Sequence, residues 1–395
     1  MNRLKVQVLL LTVAVLCFQC SRKVVMPVTT PVVQPMMVGA GQLDMLTRKL
    51  SGKRVALVVN HTALVGKTHL ADTLKSKGIT PQKIFAPEHG FRGTADAGEH
   101  VKDAIDVKTG LPVISLYGSN RKPTPEQLAD VDLLIFDIQD VGVRFYTYIS
   151  TLHYVMEACA EQGKKLMVLD RPNPNGGYVD GPVLQLSLKS FVGMHPLPVV
   201  HGLTVGELAM MINGEGWLAQ GKKCDLEVIT VKNWKHQDAY SLPARPSPNL
   251  PNDQAIKLYP SLCLFEGTVI SVGRGTETPF QIIGNPELRN MPFQFTPVSI
   301  DGMAKNPPFE NKTCYGLDLR SVAVQPKFTL EYLIDMYSAY PDKDKFFNNF
   351  FDKLAGNTEL KQQIKDGLTE EAIRETWKKD LEAYKQLRAK YLLYP

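Results

Sequence analysis

Apolar runs that each end in polar residues constrain this chain more than any other feature. Val55–Val59, which is largely β-branched, and Lys83–Ala86, Val113–Leu116, Leu133–Phe136 and Leu166–Leu169 are short and mostly apolar. Between them the spacing predicts helices over Leu70–Lys77, Pro125–Ala129 and Tyr148–Glu161. Strands alternating with helices pair in parallel and wind a sheet in both directions. Runs that stay apolar, rather than alternating, suit strands covered on both faces. The expected class is α/β, with a Rossmann-like doubly wound parallel sheet.

Parallel sheets bind ligands beyond the carboxyl ends of their strands. Here those ends read Asn60-His61, Pro87-Glu88-His89, Tyr117, Asp137 to Asp140, and Asp170-Arg171. Any one of them is an ordinary polar loop. Carboxylates, arginines and glycines gathered at several of them point to a site. The first strand is followed by Asn-His-Thr-Ala-Leu-Val-Gly rather than GxGxxG, and no GxxxxGK[ST] occurs. A sheet without a phosphate-cradling loop argues against a nucleotide, and no cofactor is expected.

The N-terminus sets the compartment. Arg3 and Lys5 precede an apolar run from Val6 to Phe18, shorter than the roughly 20 residues that span a bilayer. Residues 1–20 read as a secretory signal. Cys20 is a candidate lipid-attachment site, although Leu16-Cys17-Phe18-Gln19 lacks the usual small residues. The chain is expected in the periplasm or cell envelope. Residues 21–40, with Pro27, Pro31 and Pro35, read as a tether.

The 355 residues from Gly41 to Pro395 exceed what one core usually holds. Two domains are expected: the sheet domain over 41–182 and a smaller mixed α+β auxiliary domain over 183–395. In the latter, Thr204 and Glu207 have capping-box spacing, and Leu226–Val231 and Val269–Val272 read as strands. A final helix from Thr369 places Ile373, Trp377, Leu381, Tyr384 and Tyr391 on one packing stripe. The net charge of +5 is spread along the chain without a basic run, so nucleic acid is not an expected partner. Cys159, Cys224, Cys263 and Cys314 are too few and too scattered for a disulfide scaffold.

Several long strings narrow the reading further. They are APEHGFRG (86–93) with AGEH (97–100), FDIQDVGVRFYTYISTL (136–152), LDRPNPNGG (169–177), VDGP (179–182), PSPNLP (246–251), YPSLCLFEGT (259–268) and SVGRGTETPFQ (271–281). Together, from about residue 41 to the C-terminus, they resemble the exo-β-N-acetylmuramidase (NamZ) family, glycoside hydrolase family 171. The resemblance implies a cleft between the two domains and an exo-acting hydrolase. Its substrate would be β-linked N-acetylmuramic acid at the non-reducing ends of peptidoglycan fragments.

Glycoside hydrolysis needs a proton donor and a group that stabilises or traps the anomeric carbon. Glu88, just past a strand end and before a His-Gly turn, is the candidate donor. Asp137, Asp140 and Asp170 are candidates for the second role as nucleophile, base or orienting group, Asp170 being equally a turn cap. The substrate's own 2-acetamido group is an alternative nucleophile. The lactyl carboxylate of muramic acid suits an arginine fork. Arg92, Arg144, Arg171 and Arg274 all fall inside the strings, with Arg144 and Arg274 favoured. Asn60, His61, His89, Tyr117, Tyr146 and Glu277 complete the expected sugar-binding set, and Tyr148 lies on the same rim. His61, His89 and His100, with Asp96 or Glu99, lack HExxH-type ligand spacing, so no metal is expected. The competing classes are a metal-dependent envelope hydrolase and a non-catalytic sugar-binding protein.

Overall fold

In β1 (Val55–Val59) all five residues are buried, and alternate side chains serve two different cores. Val55, Leu57 and Val59 join Ile84, Ile135 and Met167 on one face, under Leu70 and Leu74. Ala56 and Val58 join Phe85, Phe136 and Val168 on the other, under Ile149, Leu152 and Val155. Neighbouring residues of a strand point to opposite faces, so a sheet covered on both sides demands an unbroken apolar run.

The computed structural model describes residues 34–92 and 103–395. The signal, Cys20, most of the tether, Gly93 and the AGEH string lie outside the described residues. Six strands join β1: β2 (Lys83–Ala86), β3 (Ala104–Ile105), β4 (Pro112–Ser115), β5 (Leu133–Asp137), β6 (Lys165–Leu169) and β7 (Asp225–Ile229). Their order is β3-β4-β2-β1-β5-β6-β7. All pairs are parallel except β3 with β4. Val58 registers with Phe85 on one side and Phe136 on the other. The chain winds one way from β1 to β4 and the other way from β5 to β7. Its direction reverses between β1 and β5, where diverging loops open a crevice.

Helices over Leu70–Ser76, Pro125–Leu128 and Tyr148–Gln162 lie where the spacing predicts them. The Thr204–Glu207 capping box opens a helix over Val205–Gly214. Thr369 caps the last helix, Glu370–Ala389, which buries Ile373, Trp377, Leu381 and Tyr384.

Three expectations need correction. The division at residue 182 leaves β7 on its far side although β7 pairs with β6 along five residues. Met36–Pro395 form one unit, and the core beneath Phe136 continues through Phe265, Phe280, Phe328 and Trp377. Val269–Val272 is not a strand; Ser271 makes only an isolated bridge to Gly284. The smaller region instead carries an antiparallel sheet of β8 (Ile282–Asn285), β9 (Phe293–Phe295) and β10 (Cys314–Asp318), with β10 central. The end of the tether is part of the fold. Met37 exchanges hydrogen bonds with Lys232 at 3.0 and 2.8 Å, and Gly39 N donates to Asp170 O at 2.9 Å. Gly39 sits so close to β7 that a Cβ there would lie 2.5 Å from Ile229 O. The four later cysteines are free and buried. Among the described residues, no helix is long and apolar enough to cross a membrane.

Candidate active site

The ends of β2, β4 and β5 converge on a cavity of about 210 Å³. Glu88 and His89 enter it from β2, Tyr117 from β4, and the segment Phe145–Tyr148 from beyond β5. The C-terminal half closes it with Ser247, Tyr259, Cys263, Glu266, Arg274 and Phe350.

The turn after β2 sets the position of Glu88. Pro87 O accepts from Gly90 N at 3.0 Å. His89 and Gly90 are both left-handed, with φ of 68° and 74°. Glycine adopts that conformation freely, but for histidine it costs about 1 kcal/mol or more, and such outliers collect at functional sites. Burial within the site holds the strain: His89 is 6% exposed, and its Nε2 lies 3.3 Å from Ser247 Oγ. Thr147 Oγ1 donates to Glu88 Oε2 at 3.2 Å, and Tyr148 OH donates to the Glu88 carbonyl at 3.4 Å. Burial and the neighbouring Glu88 carboxyl push the Tyr117 phenol up to about 12. Tyr146 is buried, donates to Pro246 O at 2.7 Å and packs edge-on against Tyr148 and Tyr259. Burial raises its pKa well above the ordinary value. These phenols stay protonated and serve as fixed donors and flat apolar walls.

The other predicted residues hold the fold around the cavity. Asp137 is fully buried and paired with Arg171, whose Nε and Nη2 donate to it at 2.5 and 2.9 Å. Asp140 accepts from Gly142 N at 2.7 Å and stands 3.6 Å from His201 Nε2. Asp170 accepts from Arg171 N, Gly206 N, Thr204 Oγ1 and Tyr394 OH. Arg144 is fully buried and donates to four carbonyls: Pro182 and Leu197 at 2.8 and 2.7 Å, Leu354 and Ala355 at 3.0 and 2.7 Å. Burial alone lowers its pKa to about 9, which leaves it charged at neutral pH. Arg92 pairs with Asp106 and Asp72. Asn60 is buried and accepts from Thr62 N and Oγ1. His61 donates through Nε2 to Arg245 O at 2.7 Å, and burial lowers its pKa. Glu277 is exposed and does not line the cavity.

Of the expected site residues, the cavity therefore brings together Glu88, His89, Tyr117, Tyr146 and Arg274. Sequence reasoning missed Ser247, Tyr259, Cys263 and Glu266, though all four fall inside the PSPNLP and YPSLCLFEGT strings. Phe191 and Phe350, also on the wall, carry no such signal. Among the described residues, no cluster of three or more His, Cys, Asp or Glu groups is placed to hold a metal ion.

A doubly wound sheet with a carboxyl group, phenols and an arginine gathered beyond its strand ends defines an α/β protein with a small-molecule pocket. Two family models specify it further. "Exo-beta-N-acetylmuramidase NamZ, N-terminal" matches residues 55–254, and the corresponding C-terminal model matches residues 257–394. The chain belongs to the NamZ family. It is 41% identical over 371 residues to the peptidoglycan β-N-acetylmuramidase NamZ of Bacillus subtilis (strain 168), covering 88% of each protein. A crystal structure of a DUF1343 family protein from Bacteroides fragilis NCTC 9343 superposes with a TM-score of 0.86 at 47% identity. It covers 91% of this chain and 99% of that one. A second DUF1343 protein from the same organism gives 0.77 at 32% identity, with the same coverage.

Proposed function

We infer that this chain is an exo-acting β-N-acetylmuramidase. It hydrolyses β-linked N-acetylmuramic acid from the non-reducing ends of peptidoglycan fragments. The observation that carries the mechanism is Glu88, a carboxyl group placed on the pocket wall by a strained turn and bonded by Thr147. Glu88 protonates the leaving glycosidic oxygen. Tyr117 stands beside it, and Tyr146, Tyr148 and Tyr259 shape the wall that meets the sugar. Asp137 and Asp140 are engaged outside the cavity lining. Glu266, the other carboxyl on the wall, is paired with Arg274, so the anomeric carbon is left to the substrate's own acetamido group.

The test is release of chromophore from an aryl β-N-acetylmuramide by the wild-type chain and by Glu88→Gln. Wild-type turnover and a loss of roughly 100-fold or more in the variant, with an unchanged circular dichroism spectrum, are expected. Near-wild-type activity in Glu88→Gln would remove the acid assignment. Binding without turnover in the wild type would make the chain a sugar-binding protein.

The basic flank and apolar run of residues 1–18, with Cys20 after them, support export to the periplasm or cell envelope and lipid attachment at Cys20. Cell fractionation should find the wild type with membranes and Cys20→Ser soluble. Equal partitioning of the two would argue against the anchor.

A further inference from the structure

We propose that Arg274 reads the lactyl carboxylate of the muramic acid ring and thereby separates muramic acid from sugars that lack it. The proposal rests on the muramidase reading above.

Muramic acid differs from glucosamine by an anionic side arm, so selectivity needs a cation in the pocket. Three of the four arginines in the sequence strings are engaged elsewhere: Arg92 with Asp72 and Asp106, Arg144 with four carbonyls, and Arg171 with Asp137. Arg274 lines the cavity, and no other arginine or lysine does so among the described residues.

Its geometry is that of a preset fork. Gly273 and Gly275 flank it at φ of 77° and 81°. A Cβ at Gly273 would lie 2.5 Å from Ile282 Cγ1, and one at Gly275 would lie 2.6 Å from Pro307. The turn is therefore packed tightly on both sides of the arginine. Glu266 accepts from Arg274 Nε at 2.6 Å, and the guanidinium stands 5.3 Å from the Phe280 ring centre. Among the described residues Glu266 is its hydrogen-bond partner, and through Nε alone. The two terminal nitrogens remain for a carboxylate, and a planar fork fixed in this way loses little freedom on binding. Glu266 is then a positioning residue that fixes the plane of the fork.

The experiment compares an aryl β-N-acetylmuramide with its lactyl methyl ester, a neutral substrate of nearly the same shape. Wild type should favour the acid over the ester by about 100-fold in kcat/KM, chiefly through KM. Arg274→Met should treat the two alike, with the rate on the acid reduced to that on the ester. Arg274→Lys keeps the charge without the fork and should retain only a small preference. If Arg274→Met fails to fold, the lysine variant decides the matter, and full retention of the preference there overturns the fork. Equal cleavage of acid and ester by the wild type, or a preference that survives in Arg274→Met, overturns the proposal while leaving the muramidase reading intact. Cleavage of neither substrate by the wild type overturns both.

Discussion

Arg144 and Arg274 were equal candidates for the same task, and the fold gives them opposite ones. Arg144 ties the loop after β5 to the carbonyls of Pro182, Leu197, Leu354 and Ala355. Replacing it by Met would leave four buried acceptors without donors, each worth about 1 kcal/mol or more. Arg144→Met should lose at least about 3 kcal/mol in urea denaturation, while the folded fraction keeps its KM for the muramide. A loss below about 1 kcal/mol would mean that water or backbone takes over those carbonyls. Nothing in the sequence could separate the two arginines, because each follows a glycine within two residues and stands near acidic residues. What distinguishes them is the partner each meets in space: Arg144 reaches the carbonyls of Leu354 and Ala355, far along the chain, whereas Arg274 pairs with the nearby Glu266. The same holds for Asp137, which is a strand-end carboxylate in sequence and the counterion of Arg171 in space. The place of Glu88 on the cavity wall was legible because its turn chemistry is local: a proline precedes it, and a histidine and a glycine in left-handed conformations follow it.

At the scale of elements, periodicity was a good guide wherever burial was uniform. β1, β2, β5 and β6 are covered on both faces, so each shows an unbroken apolar run, and each lies where that run was read. β3 could not be read this way: Ala104 and Ile105 are both exposed, and only two residues pair with β4. β7 was readable as a strand but not as a member of this sheet. Its burial is partial, with only Ile229 fully buried, because it is the edge strand beyond β6. An edge strand looks the same in sequence whichever sheet it joins. Capping was legible for a different reason. In the box formed by Thr204 and Glu207, each side chain accepts from the other residue's backbone N–H, three positions apart. The Val269–Val272 run failed because its apolar residues pack into the shared core from an irregular segment, with a bridge at a single position.

At the scale of the whole molecule, Asp170 joins the sheet, a helix start and the C-terminus. It follows β6 directly, accepts from Gly206 N and Thr204 Oγ1 at the head of the Val205–Gly214 helix, and accepts from Tyr394 OH at 2.5 Å. The last residues are held nearby: Leu393 N donates to Glu207, and Pro395 O accepts from His236 N. Burial raises the Asp170 pKa from 3.8 to about 6, against the pull of its hydrogen bonds from Thr204, Tyr394 and Gly206. Between those two values the native chain holds a proton that the unfolded chain has released. The contribution of this group to stability is therefore complete below about pH 4, falls as pH rises to about 6, and is flat above that. The full change is on the order of 3 kcal/mol. Other carboxylates act in the opposite sense; Asp106, paired with Arg92 and Thr109, sits at about 2. Asp170 must therefore be isolated by comparison with Asp170→Asn, which cannot ionise. That variant turns an amide toward hydroxyl and N–H donors and should be the less stable of the two at pH 4.5. Its deficit should shrink by pH 7, because the wild type alone bears the cost of a buried charge there. Urea midpoints of both proteins at the two pH values measure the gap. A gap that stays constant or widens with pH would mean that Asp170 ionises as readily in the fold as in the unfolded chain, with its four donors outweighing its burial.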